Sequence, residues 1–306
     1  MSASVVIPTL NAERFIGALL ERLLSQTVKF NEIVVIDSES TDKTVEIAKS
    51  FAGVTVLNVE RRNFNHGGTR DTAIQKTTGD IILCLTQDAL PVDENYAANL
   101  IAPFADDEKI AMSSGRQIAR DDAPVTEKLN REFNYPEHVF VRSKEDLPRL
   151  GVKTFFSSDC CSAYRRTAYN AIGGFDKDIL VNEDMKIAAQ FIFAGYKIAY
   201  VGTAGVYHSH NYSLKQQFTR NFDVAAFMKM NGDLFANVSA ASEGMKMVKW
   251  ILLRLVKRGR LIAAGYYVLE CATKLLANKL GARYKKLSKK TRIRFALNKN
   301  YWKTHE

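Results

Sequence analysis

The feature that most constrains this fold is a series of short apolar runs, each ending in a polar cluster and followed by a helical pattern. Residues 4–9, 32–37 (EIVVID), 54–59 and 81–85 are of strand length and show no polar alternation. A strand that is apolar on both faces must be covered on both faces, and strands that alternate with helices pair in parallel. The pattern predicts an α/β protein with a mainly parallel central sheet. Helices are expected at 11–24, with Asn11 as cap ahead of Phe15, Leu19, Leu20, Leu23 and Leu24, and at 43–51 and 69–76.

The sheet is expected to continue with a helix at 95–104 and a strand at 110–114. Residues 119–152 are polar and aperiodic and too long for a passive connection, which predicts a substrate-covering insertion with some helix. A strand at 160–166, the turn Gly173-Gly174-Phe175, a helix at 184–194, a strand pair within 197–207 and a helix capped by Ser213 and running to Met230 complete the first region. This places one domain at 1–235 and a distinct tail at 236–306.

Charge separates the two more sharply than pattern does. The net charge is +10, yet from Lys246 onward 17 Lys and Arg face only Glu270 and Glu306, so the rest of the chain is mildly acidic. A basic tail on an acidic body points to an anionic partner surface, either nucleic acid or lipid. Val248, Ile251, Leu252, Leu255 and Val256 line one helical face, with Lys246, Lys249, Lys257 and Arg258 opposite. A second helix is expected at 261–280, where Glu270, Lys274 and Lys279 leave no apolar run near the roughly 18–20 residues that span a bilayer. Trp250, Tyr266 and Tyr267 sit on apolar faces rather than among the basic residues as stacking platforms, which argues against nucleic acid and for an anionic membrane surface. Packing on the body or on a second copy in a homo-oligomer is the alternative. Four cysteines without paired spacing, and a chain that enters its first strand with no basic flank, apolar stretch or cleavage site, predict a cytoplasmic protein on the inner face of the membrane.

In parallel sheets, ligands bind outside the carboxyl ends of the strands. Those ends carry Pro8-Thr9-Leu10-Asn11, Asp37-Ser38-Glu39-Ser40-Thr41-Asp42, Asn65-His66-Gly67-Gly68-Thr69-Arg70 and Thr86-Gln87-Asp88-Ala89. Each alone has a plain alternative: Asp37 and Asp88 as turn carboxylates, His66-Gly67-Gly68 as a turn. A lone Asp at the end of an apolar strand is also a sound place for a hard divalent cation, Mg²⁺ or Mn²⁺, which makes Asp88 the candidate metal ligand. His208 and His210 alternate after a strand and so point the same way; the alternative for each is a hydrogen-bonded structural histidine. Glu183 and Asp184 open a helix, where two acids also suit the helix dipole.

Together, in this order and spacing, these strand ends resemble the family-2 glycosyltransferases of the GT-A fold, over about residues 3–230. Within that family the Phe64–Arg70 stretch followed by Thr86–Ala89 is most similar to bacterial rhamnosyltransferases that use dTDP-L-rhamnose. The resemblance implies that Thr9 and Asp37 contact the base and ribose, with Pro8, Asn11 and His66 on the same nucleotide side, and that Arg70 lies near the diphosphate. It implies a metal- or diphosphate-contacting role for His208. It also implies that one carboxylate of the Glu183-Asp184 pair, here Asp184, is the general base on an acceptor hydroxyl. Gln87, Ser158, Asp159, Arg165 and His210 fall where the family meets sugar or acceptor. Where the family often shows Asp-x-Asp, this chain has Gln87-Asp88-Ala89 and offers one carboxylate. A single base and no candidate covalent nucleophile imply inversion. The expected acceptor is a lipid-linked saccharide, and the alternative donor is a UDP-hexose. A nucleotidyltransferase is disfavoured because no Gly-rich phosphate loop opens the chain.

Overall fold

The structure is a computed structural model that describes residues 1–235 and 241–305. The chain forms two compact units: residues 1–120, 135–178 and 183–208 make the first, and 121–134, 179–182 and 209 onward the second. The tail expected from residue 236 begins among residues 236–240, outside the described residues.

The first unit is built on a nine-stranded sheet. Its strands are β1 (Ala3–Thr9), β2 (Glu32–Asp37), β3 (Val54–Asn58), β4 (Ile81–Leu85), β5 (Leu90–Pro91), β6 (Ile110–Ile118), β7 (Val139–Arg142), β8 (Cys161–Arg165) and β9 (Lys197–Tyr207). They lie in the order β3-β2-β1-β4-β8-β6-β9-β5, with β7 also on β9. The first four run parallel; β8 is antiparallel to both β4 and β6, and β6 and β9 are parallel. One edge of the sheet therefore collects the carboxyl ends of β1, β2, β4, β6 and β9 and the amino end of β8.

Pleating explains the continuous apolar runs. Val5, Ile7, Ile33, Val35, Leu83 and Leu85 share a core with Leu19, Leu20 and Leu23 of the helix Ile16–Leu24 and with Leu100 and Phe104. The intervening Val6, Val34, Ile36 and Ile82 point to the other face and are buried too. The helix His66–Ile74 packs beside β1 and β2.

Several expected elements differ for local reasons. Asn11 does not cap the first helix: its φ is 49°, and its side-chain oxygen accepts from the Thr41 amide at 2.9 Å, tying two strand-end loops together. The expected helix at 95–104 breaks into Tyr96–Ile101 and Pro103–Asp106, because Pro103 cannot supply the next helical N–H. The expected strand pair within 197–207 is the single strand β9, and β6 runs four residues past Ser114 after a register shift at Gly115/Arg116. Within 119–152 the structure forms the helix Val125–Asn134 and the edge strand β7.

The second unit is helical among its described residues. Leu129, Ile251, Leu255, Ala264 and Tyr267 form its core. The apolar face of the helix Ala241–Lys257 is therefore used for packing: Ile251 and Leu255 are fully buried, and Trp250 meets Phe133 edge-on at 5.4 Å. Packing within the chain, the alternative to a membrane surface, thus occupies Ile251 and Leu255, while Val256 of the same face stays 54% exposed. The helices Leu214–Met230 and Leu261–Gly281 approach closely at Gly281, where a Cβ would come within 2.2 Å of the Phe222 carbonyl oxygen. Asp223 anchors the end of the chain. It accepts from the Leu297 and Asn298 amides and the Trp302 indole, all at 2.8 Å, and burial pushes its carboxyl up to about 6 against the pull of those donors. Ser213 caps the helix Leu214–Met230 with a reciprocal Ser213–Gln216 capping box, as its sequence predicts. Among the described residues no helix is long and apolar enough to cross a membrane.

Candidate active site

A continuous set of hydrogen bonds joins the polar strand ends along one edge of the sheet. Thr9 and Asp37 are register partners at the ends of β1 and β2, and the Thr9 hydroxyl donates to Asp37 Oδ1 at 3.0 Å. Asp37 is buried and also accepts from the Ser40 amide at 2.8 Å and its hydroxyl at 2.5 Å. Pro8 lies one residue inside, opposite Ile36. The next residue, Leu10, is held by Gln87: its amide donates to Gln87 Oε1 at 2.8 Å and its carbonyl accepts from Gln87 Nε2 at 3.2 Å. Gln87 thus commits its amide to main chain, fastening β1 to the loop after β4 rather than reaching toward a sugar.

Two further bonds extend the edge to Asp184. The Thr86 amide donates to the Cys160 carbonyl at 3.3 Å, and the Asp159 amide donates to Asp184 Oδ2 at 3.3 Å. Asp37 and Asp184 therefore belong to one hydrogen-bonded rim within the first unit, with Asp88 next to Gln87 along the chain. Ser158 serves that turn, its hydroxyl accepting from the Cys160 amide and its carbonyl from Cys161.

The acids around Asp184 form a buried charged cluster. Arg70, 2% exposed, donates to Glu183 Oε1 at 2.9 Å and lies 3.9 Å from Asp159 Oδ2. Burial opposes its charge, but Glu183 and then Asp159 outweigh burial and raise the guanidinium pKa. Arg70 thereby spends its charge on two buried carboxylates, whereas the sequence placed it near a diphosphate. The helix His66–Ile74 carries Arg70 inward, with Asn65 capping it through the Gly67 and Gly68 amides at 3.0 Å each. A Cβ on Gly67 would lie 2.5 Å from the Asp176 carbonyl oxygen, so glycine permits this seat. His66 itself is exposed, edge-on to Phe64 at 4.9 Å.

Asp159 accepts from Ser162 at 2.6 Å and from the Tyr164 hydroxyl, and burial raises its pKa against the attraction of Arg70. Asp184 is the second residue of the helix Glu183–Phe193, which starts just after Asn182 in left-handed backbone with φ 58°. Its carboxyl is pushed up to about 8, first by burial and then by the negative charges of Glu183 and Asp159. A carboxyl in that range holds or releases a proton near neutrality, which suits a group that exchanges protons with a substrate.

At the other side of the β4 loop, Asp88 Oδ2 lies 3.6 Å from His208 Nε2. His208 follows β9, its amide bonded to the Ile118 carbonyl at 2.9 Å, and its Nδ1 meets Gln117 Oε1 at 3.0 Å. A carboxamide oxygen only accepts, so it fixes the proton on Nδ1 and turns the Nε2 lone pair toward Asp88. Arg120 donates to the Asp88 carbonyl. Sequence reasoning missed Gln117 and Arg120 because it ended β6 at Ser114, where the polar run Ser113-Ser114-Gly115-Arg116 hides the continuation of the strand.

Arg165 does not belong to this rim. Because β8 runs antiparallel to β4, its amino end at Cys161 pairs with Leu85 near the rim, whereas Arg165 pairs with Ile81 at the opposite edge. There it binds the Ile110, Phe104 and Asp107 carbonyls. His210 lies in the second unit, stacked on Tyr212 at 4.8 Å.

An α/β sheet whose carboxyl edge gathers a buried Asp, an acid–imidazole pair and an acid of raised pKa has the makings of an enzyme's ligand site. Residues 4–173 match Glycosyl transferase family 2, and the chain belongs to that family. It is 36% identical to the O-antigen chain rhamnosyltransferase RfbN of Salmonella typhimurium, over 99% of this chain and 96% of that one. It is 35% identical to the O-antigen chain rhamnosyltransferase WbaN of Salmonella anatum, over 98% and 96%. Among solved structures, the mannosyltransferase PcManGT from Pyrobaculum calidifontis in complex with GDP-Man and Mn²⁺ superposes with a TM-score of 0.60 at 16% identity, covering 93% of this chain and 88% of that one. Staphylococcus aureus TarS 1–349 does so with a TM-score of 0.57 at 15% identity, covering 94% and 91%. At such identities these two bear on the fold alone, and the fold is that of the GT-A glycosyltransferases.

Proposed function

We propose that this glycosyltransferase moves L-rhamnose from dTDP-L-rhamnose, with inversion, onto a hydroxyl of a lipid-linked saccharide during assembly of a bacterial surface polysaccharide. The near full-length similarity to two O-antigen chain rhamnosyltransferases supports the donor and pathway. The observation that carries the chemistry is Asp184, whose carboxyl is pushed up to about 8 and bonded into the same rim as Asp37.

Asp184 is the general base: its carboxylate takes the proton of the acceptor hydroxyl as that oxygen attacks the anomeric carbon, and the bond from that carbon to the diphosphate oxygen breaks. Thr9 and Asp37 receive the nucleoside, with Pro8, Asn11 and His66 shaping its loops. Asp88 and His208 fit a divalent cation, Mg²⁺ or Mn²⁺, since their ligand atoms converge and Gln117 pre-orients the imidazole. When bound, such a cation neutralises developing charge on the diphosphate. Arg120, at Asp88, takes the diphosphate role that Arg70 is too buried to fill. Arg70 instead holds Glu183 and Asp159 beside the base.

The second unit supports an anionic membrane surface as partner. The helix Leu261–Gly281 exposes Leu261, Ile262, Val268, Leu269, Leu275 and Leu276 at helical spacing along one face, with Ile262 at 93% exposure. Exposed apolar side chains within a strongly basic segment are the makings of an interfacial contact at the cytoplasmic face.

The donor is tested by calorimetric titration of dTDP-rhamnose against UDP-glucose, UDP-galactose and UDP-N-acetylglucosamine. Binding of dTDP-rhamnose at least tenfold tighter than any UDP-sugar is expected; preference for a UDP-hexose would replace the donor.

A further inference from the structure

The second unit contains a cavity of about 870 Å³ whose lining comes wholly from that unit. It lies among the helix Val125–Asn134, the loop 210–213 and the start of the helix Leu261–Gly281. Its volume is that of a small-ligand site rather than a packing defect. The wall is mainly apolar, and two further kinds of side chain are set in it. Tyr212 and Tyr266 present aromatic rings, and Tyr212 is itself braced by the stacked ring of His210 with an interplanar angle of 27°. Glu127, Asn130, Gln217 and Glu270 present carboxylates and amides.

Those carboxylates are held in place. Glu127 is paired with Arg131 at 2.8 Å and Glu270 with Lys274 at 2.6 Å, and neither cation is on the lining. Arg260 is the one cationic side chain there, and it is exposed. Its two carboxylates are each neutralised by an ion pair and Arg260 is solvated, so the wall offers no cluster of positive charge to hold a nucleoside diphosphate. It suits a neutral polyol, whose hydroxyls donate to carboxylate and amide oxygens while its C–H faces lie on aromatic rings. The wall also includes Leu261 and Ile262, which begin the exposed apolar face of their helix. His210, on the wall, is two residues along the chain from His208.

We infer that this cavity is a binding site for a neutral saccharide, the glycan of the acceptor, read by Tyr212, Tyr266, Gln217 and the two anchored glutamates. The inference rests on the proposed transferase reading, in which a saccharide borne by a lipid is the second substrate. It assigns glycan recognition to the helical unit and nucleotide recognition to the sheet edge.

The test uses the full chain and six probes: the methyl and octyl glycosides of glucose, galactose and mannose, the octyl compounds below their micelle concentrations. Saturation-transfer NMR should show saturation on the sugar ring protons of at least one pair, indifferent to added dTDP. Tyr266→Ala and Gln217→Ala should each weaken that binding at least tenfold, with helical circular dichroism and Tm equal to wild type certifying that the variants are folded and unchanged dTDP affinity showing that the sheet edge is untouched. Saturation confined to the octyl chain would make the cavity a lipid site and overturn the inference. Competition by dTDP, unaltered affinity in both variants, or no binding of any of the six probes would overturn it equally. Turnover of dTDP-rhamnose is measured separately, so a cavity that fails leaves the transferase reading standing, and a donor that fails leaves the cavity result intact.

Discussion

As the proposed base, Asp184 works only after its carboxyl loses its proton, and its surroundings oppose that loss. The free enzyme should therefore gain activity as pH rises through about 8, read as the acidic limb of kcat/KM against pH. Glu183→Gln removes an adjacent negative charge and leaves Arg70 to act on the remaining acids, so the limb should move to lower pH; an unmoved limb would separate Glu183 from the base. Stability runs the opposite way with pH. Because the folded pKa lies above the 3.8 of an unperturbed Asp, the contribution is fully present below about pH 4 and lost as pH rises through about 8. Asp184→Asn should accordingly raise Tm relative to wild type at pH 8–9 and not at pH 4. Arg120→Ala should raise the KM for donor about tenfold or more, consistent with losing a charged contact to phosphate. No change in KM would return the diphosphate to another cation.

At the scale of elements, Asp223 fastens the last helices through two main-chain amides and one indole N–H. An asparagine there keeps one acceptor oxygen and sets an NH₂ against a donor. Asp223→Asn should therefore cost about 1–3 kcal/mol and open residues 296–304 to hydrogen exchange. Protection equal to wild type would mean the chain end is held elsewhere. Elements of this kind were unequally legible. The parallel strands showed themselves because burial on both faces leaves an uninterrupted apolar run, and β2 and β4 have the limits their sequence predicts. Asp37, Asp88 and His208 stood out as candidates because each ends or follows such a run, and Asp184 because it is one of two acids opening a helix. What pattern could not show was direction: nothing in Cys161–Arg165 says that β8 enters the sheet antiparallel, and that alone moves Arg165 to the far edge. Nor could it show that Arg70 turns inward, a consequence of the contact at Gly67 between distant segments. The apolar face of Ala241–Lys257 was visible in sequence, but its occupant was not, since Leu129 comes from more than a hundred residues away.

For the whole molecule, the account separates nucleotide chemistry on the sheet edge from acceptor and membrane contact in the basic helical unit. Leu269→Glu with Leu276→Glu should weaken binding to anionic vesicles several-fold by sedimentation, and raising salt should weaken wild-type binding as well. Equal binding by the variant at low salt would leave the exposed face for a second copy of the chain. The central claim is that Asp184 deprotonates the acceptor for a rhamnosyl transfer. The direct measurement is rhamnose transfer from dTDP-rhamnose to lipid-linked acceptor by wild type and Asp184→Asn, with dTDP affinity measured on both. The account predicts a loss on the order of 10²–10⁴-fold at unchanged dTDP affinity; transfer by Asp184→Asn at the wild-type rate would contradict it.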